Sequence, residues 1–157
     1  MALIAGVAAV AWVWRHPTVL VSRGDGAITV GLKTSVGTTA YVGIVYLPAS
    51  GDRHAVTITS ARPRVTQTIP GATIDLVLCR GGKVGAAFNI NRYCDSVDPV
   101  AGADLMVGQG TVNQIVARIH SDQAGRVAIE GVDVSYSSGW QRGAQTTGID
   151  AVATFRR

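Results

Sequence analysis

Glutamate is nearly missing from this chain of 157 residues: Glu130 stands alone, and only two lysines, Lys33 and Lys83, accompany it. Charged residues make up 15% of the chain, where ordinary soluble domains carry about 25%. The shortage removes the residues from which long solvated helices are built. A disordered polyelectrolyte is excluded too, because 47% of the residues are hydrophobic. Cysteine is limited to Cys79 and Cys94. Without a C-x-x-C spacing they make no thioredoxin-like redox motif, and the three histidines are not spaced to complete a zinc site. No G-x-S-x-G nucleophile elbow occurs. Nor does a basic stripe interleaved with aromatics, which argues against nucleic acid as a partner.

What is abundant points to β-structure. Valine, isoleucine and threonine together number 47, against 18 for Leu, Met, Gln, Glu and Lys combined. Branched side chains lose rotamer freedom in a helix and suit a pleated surface. Nineteen glycines supply the turns that many short strands need. The net charge of +4 is compatible with an anionic lipid or an acidic wall polymer. Its basic residues are scattered, apart from Arg62 with Arg64 and the Arg156–Arg157 tail.

Alternation predicts strands over residues 28–33, 54–61, 72–79, 84–94, 111–120, 126–136 and 144–155. In residues 84–94 the expected inward face is Ala86, Phe88 and Ile90, and residues 95–102 are expected to loop around Pro99. Residues 38–47 are apolar on both parities, so that strand is covered on both faces or meets lipid or a partner. Pro63 and Pro70 bound an extended piece expected at a sheet edge. In residues 126–136 the apolar phase changes from Val127 and Ile129 to Val132, Val134 and Tyr136, with Gly131 at the switch, as in a β-bulge. The expected fold is all-β: an antiparallel β-sandwich, Ig-like or jelly-roll-like, over residues 22–157, preceded by an N-terminal apolar helix.

Residues 2–14 are continuously apolar and end at Arg15, His16 and Pro17. Three readings stand side by side. Residues 1–21 form a membrane anchor, with Trp12 and Trp14 at the interface; or a cleaved signal peptide, with Ala9, Val10 and Ala11 as the cleavage site; or a buried element of a soluble domain. The first two put the domain outside the cytoplasm. There Cys79 and Cys94 are expected to form one disulfide joining two strands of a hairpin, the alternative being two buried thiols.

Candidate sites are few. His54 and His120 lie on expected strands with no activated hydroxyl beside them, so no catalytic residue and no cofactor is assigned. Asp95, Asp98 and Asp104 fit no EF-hand spacing, so no metal is assigned. Arg23, Gly24 and Asp25 read as ordinary turn chemistry. Residues 108–111 echo the last strand of antibody variable domains, but a cysteine pair 15 apart does not fit that pattern. The best contact candidate is the loop of Tyr136, Trp140, Gln141 and Arg142, since Trp and Arg at a Gly-flanked tip are typical of recognition surfaces. The alternative is Trp140 tucked under the hairpin as a cover.

Residues 125–136 and 139–145, with Gly125, Glu130, Gly131, Tyr136, Trp140 and Arg142 among them, resemble the tail of small membrane-anchored proteins of high-GC Gram-positive bacteria. Residues 56–58 and the stretch from Cys79 to Cys94 look similar as well. The resemblance implies an extracytoplasmic β domain and brings no activity. Such proteins carry a basic stub before the anchor, which is not seen ahead of Ala2. The leading functional expectation is a non-catalytic module tethered to the membrane, binding an envelope protein or cell-wall polymer. The alternatives are a small envelope hydrolase using His54 or His120, and a subunit that self-associates through residues 38–47.

Overall fold

The computed structural model describes Leu20 and residues 28–47, 53–108, 110 and 112–157. The apolar segment 2–14, the Arg23-Gly24-Asp25 tripeptide, residues 48–52, and Gln109 and Thr111 lie outside the described residues. So does the expected N-terminal helix, and no helix among the described residues is long and apolar enough to cross a membrane.

Among the described residues ten strands follow one another: β1 (Thr29–Ser35), β2 (Thr39–Leu47), β3 (His54–Gln67), β4 (Thr73–Arg80), β5 (Ala86–Ala87), β6 (Ser96–Pro99), β7 (Asp104–Val107), β8 (Asn113–His120), β9 (Gly125–Ser138) and β10 (Gln141–Arg156). They form two five-stranded sheets, ordered β1-β10-β9-β3-β7 and β5-β2-β8-β4-β6. Side chains from both sheets meet in one core, with Val42, Ile44, Leu78, Ile115 and Ile119 opposite Ile58, Val127, Ile129, Val134 and Phe155. The result is all-β and sandwich-like. One pairing departs from the expected antiparallel order: β1 runs parallel to β10, Thr29 beside Asp150 through Ser35 beside Arg156.

The phase change in β9 is real and has a structural cause. Val127 and Ile129 are buried, then Val132, Val134 and Tyr136, and Gly131 between them takes φ +76°. Across from it the β10 ladder slips between Thr147 and Asp150, and on the other side β3 slips between Pro63 and Val65. The irregularity therefore crosses three strands, which keeps each strand's apolar side facing the core on either side of the bend. β3 continues through Pro63, which sits opposite Val132. β7 pairs only with residues 54–57 of β3, so the proline lies where no ladder hydrogen bond from a further strand is interrupted.

Residues 84–94 are not a strand. Buried positions there are Val84, Ala87, Ile90 and Cys94, spaced three or four apart rather than two. The segment contributes the two-residue β5 and a 3-10 turn (Ile90–Arg92) begun by the Asn89 side chain, which accepts from the Asn91 N–H. Phe88, expected inward, is 53% exposed. The neighbour of β4 is instead β6, with Cys79 opposite Val97, so the expected loop around Pro99 is the strand. The physical reason is that residues 81–95 fold as a cover over the outer face of the second sheet. A second apolar cluster forms there from Val77, Cys79, Val84, Ala87, Ile90, Cys94 and Val116. In β2 apolar residues of both parities reach the core because the ladder slips between Gly43 and Val45: Ala40, Val42 and Ile44 are buried there before the slip and Val45 and Leu47 after it, while Tyr41 packs against the second cluster. A disulfide between Cys79 and Cys94 holds the cover down, with the Cα atoms 5.3 Å apart.

Candidate functional site

β9 and β10 join through the two-residue tip Gly139-Trp140, with Ser138 opposite Gln141. Gly139 has φ +58° and Trp140 does not have a positive φ, as in a type II′ hairpin turn. With no side chain at 139 the tip is narrow, and Trp140 projects from it with 65% of its surface exposed. It is not tucked under the hairpin.

Beside the tip lies a cleft of about 640 Å³ on the outer face of the first sheet. In-register pairs set its floor: Ser137 lies opposite Arg142 and Ser135 opposite Ala144 on β10, while Ser137 lies opposite Thr57 on β3. Thr59, at the slip in the β3 ladder between Ile58 and Ser60, completes the rim. The cleft thus combines three hydroxyls, one guanidinium and an indole face. Such a set suits a ligand with both a polar edge and an apolar face.

Of the four residues singled out from the sequence, Tyr136, Trp140 and Arg142 line this cleft; Trp140 and Arg142 are exposed, and Gln141 is half-buried between them. Tyr136 differs. Only 1% of it is exposed, its ring lies across Gly143 on the facing strand, and its hydroxyl donates to Gln145 Oε1 at 2.7 Å. The same Gln145 amide accepts from the Leu20 N–H at 3.1 Å and donates to the Leu20 carbonyl at 3.2 Å. Tyr136 therefore supports the hairpin from the core side. Ser135 was missed from the sequence, although the even parity of the buried residues after Gly131 places it outward. Thr59 needed the β3–β9 pairing, which no local pattern reveals.

The other candidates have structural partners. Arg80 Nε donates to Asp98 Oδ2 at 2.6 Å, and both terminal nitrogens of Arg80 donate to the Asp104 carbonyl. Asp104 Oδ1 accepts from the Thr57 hydroxyl at 2.6 Å. The acidic loop is thus organised around a guanidinium. His54 opens β3 and is exposed. His120 closes β8, 3.4 Å from the Thr39 hydroxyl and 3.3 Å from Asp122. Thr39 begins β2 beside His120, whereas Leu47 ends β2 shortly before His54, so the two histidines sit at opposite ends of the fold.

No family model matches the chain. No curated protein gives a significant match. Among solved structures the chain is similar to the N-terminal domain of PorA, at 15% identity over 87% of this chain and 96% of that one, with a TM-score of 0.37. It is similar to the CooA pilin subunit from enterotoxigenic Escherichia coli, at 11% identity over 88% and 97%, with a TM-score of 0.37. It is also similar to part of a family 123 glycoside hydrolase from Clostridium perfringens, at 7% identity over 82% of this chain and 23% of that one, with a TM-score of 0.34. Likenesses at this level carry no function across to this chain.

Proposed function

We propose that this chain is a non-catalytic binding module of the cell envelope, and that the cleft beside Trp140 is its contact surface for an envelope protein or a cell-wall polymer. The observation that carries the reading is the 65% exposure of Trp140 above a hydroxyl-lined cleft. An indole exposed on a narrow turn keeps apolar surface in water, a cost that is removed when a partner covers it.

The module works on the extracytoplasmic side, tethered through residues 1–21, in the manner of the high-GC Gram-positive proteins it resembles. The disulfide supports that location, because such bonds persist in oxidising compartments. A hydrolase reading finds less support: His54 and His120 stand at opposite ends, so they share no cleft with a common carboxylate. Self-association through residues 38–47 likewise finds less support, because Ala40, Val42, Ile44, Val45 and Leu47 are already buried in the chain's own core.

The test is retention of the full chain on purified Gram-positive cell walls, compared with Trp140→Ala and Arg142→Ala. The expected result is at least tenfold weaker retention of both variants with an unchanged melting temperature. Equal retention of all three would remove the cleft from the binding surface.

A further inference from the structure

A second cleft lies at the far end of β10. Its volume is about 540 Å³, and it opens where edge strand β1 of the first sheet passes the edge of the second sheet just after β5. Lys33, Arg156 and Arg157 line it, together with the hydroxyl residues Ser35 and Thr38 and the exposed ring of Phe88. The parallel register explains the convergence. Ser35 sits beside Arg156, and Lys33 lies two residues earlier on the same outward parity. Phe88 arrives from the disulfide-held cover on the other sheet.

Three features set this cleft apart from an ordinary basic surface. No acidic side chain lines it. The ion pairs of the described residues involve Arg80, Arg118 and His120, and none of the cleft's three cations. A large aromatic ring, 53% exposed, stands at its wall. Positive charges gathered in a cleft with low-dielectric walls focus their field on its mouth. Guanidinium forks match phosphate oxygens, and hydroxyls add short donors. An aromatic face beside them accepts the apolar face of a ring.

We propose that this cleft binds a sugar phosphate, the phosphate held by Lys33 and Arg156 with Arg157 and the ring packed on Phe88. The unit is the kind that recurs along an anionic glycan or a glycosyl phosphodiester chain. The proposal does not depend on the Trp140 cleft. Arg142 and Arg156 are 14 residues apart on one extended strand, on the order of 45 Å at about 3.3 Å per residue.

The experiment is a titration of the full isotope-labelled chain, followed residue by residue by NMR, with glucose 1-phosphate, inorganic phosphate, glucuronate and glucose. Glucose 1-phosphate is expected to shift residues 33–38, 88 and 156–157 and to bind at least fivefold more tightly than inorganic phosphate. Lys33→Gln with Arg156→Gln is expected to weaken both phosphates at least tenfold. Phe88→Ala is expected to weaken glucose 1-phosphate while leaving inorganic phosphate unchanged. Both variants change exposed side chains, and an unaltered spectrum elsewhere verifies their fold. Shifts spread over all basic residues, or glucuronate binding as tightly as glucose 1-phosphate, would overturn the assignment. So would a Phe88→Ala variant that binds both phosphates like the parent. A cleft that fails here leaves the retention on cell walls through Trp140 untouched, so the two readings fail separately.

Discussion

The side-chain amide of Gln114 forms with Val84 the pair of hydrogen bonds that two strands exchange: its Nε2 donates to the Val84 carbonyl at 3.0 Å, and its Oε1 accepts from the Val84 N–H at 2.6 Å. Both residues are fully buried. A side chain thus does the work of a backbone strand, because β8 lies between β2 and β4 and has no edge left to pair with the cover segment. Gln114→Leu leaves two buried backbone groups of Val84 without partners, each costing about 1–3 kcal/mol. The expected loss is about 2–4 kcal/mol in urea unfolding, with the slope of the transition unchanged. A loss below about 0.5 kcal/mol would mean that water or another group replaces the amide.

Gly43 belongs to the same arrangement. A Cβ there would overlap the Gln114 amide and the Val84 carbonyl. Gly43→Ala is therefore expected to destabilise by about 1–3 kcal/mol through overpacking. Combined with Gln114→Ala, the cost should be less than the sum of the two, because the second change removes what the first one strikes. A double-mutant cycle on melting temperatures checks this; strict additivity would show that the two positions do not interact.

The disulfide closes a loop of 15 residues, for which the chain-entropy model gives about 3 kcal/mol. Cys79→Ala with Cys94→Ala is expected to lower stability by about that amount. The effect should concentrate in the cover. Hydrogen exchange at residues 84–94 should quicken more than at β9 and β10, whose pairing does not run through this bond. Uniform quickening across both sheets would show instead that the staple holds the whole core.

Tyr136 and Trp140 sit four residues apart and should behave oppositely. Tyr136→Phe removes the hydroxyl that donates to Gln145, and is expected to cost about 1 kcal/mol. Trp140→Ala removes an exposed side chain, and is expected to stay within about 0.5 kcal/mol of the parent. Thermal melts of the two variants side by side decide it.

Arg80 holds Asp98 and the Asp104 carbonyl in partly exposed geometry. Arg80→Met is expected to cost about 1 kcal/mol, at the upper end of the range for a surface ion pair. Because the guanidinium already occupies the acidic loop, millimolar Ca²⁺ is expected to leave the melting temperature of the parent unchanged. A rise of several degrees would place a cation among Asp95, Asp98 and Asp104.

Much of the fold was legible because strand periodicity is a local signal. Residues 54–61, 72–79 and 111–120 alternate, and Val56, Ile58, Leu78, Ile115, Ala117 and Ile119 are buried; of residues 28–33, Val30 and Leu32 are half-buried against the core and Ile28 is exposed. The switch at Gly131 was legible for the same reason: a residue inserted into a period of two shifts every later side chain to the other parity. The cover segment misled because Ala86, Phe88 and Ile90 alternate by accident. Its true spacing of buried residues answers to the sheet beneath it, which local sequence does not describe. The Trp140 tip was legible as a Gly-flanked turn, and the parity that Tyr136 shares with Val132 and Val134 already put it on the apolar side; only the structure showed its ring across Gly143 and its hydroxyl on Gln145.

The sequence by itself determined the all-β class, most strand positions and the phase change in β9, because each depends on residues within a few positions of one another. Tertiary structure alone decided that β1 runs parallel to β10, that β6 rather than residues 84–94 pairs with β4, and that the chain covers its own second sheet. It also decided that Lys33, Phe88 and Arg156 share one cleft. These are pairings between residues tens of positions apart, chosen by which apolar faces bury together. No local period encodes that choice, since the free energy that selects it appears only when the two sheets close on a common core.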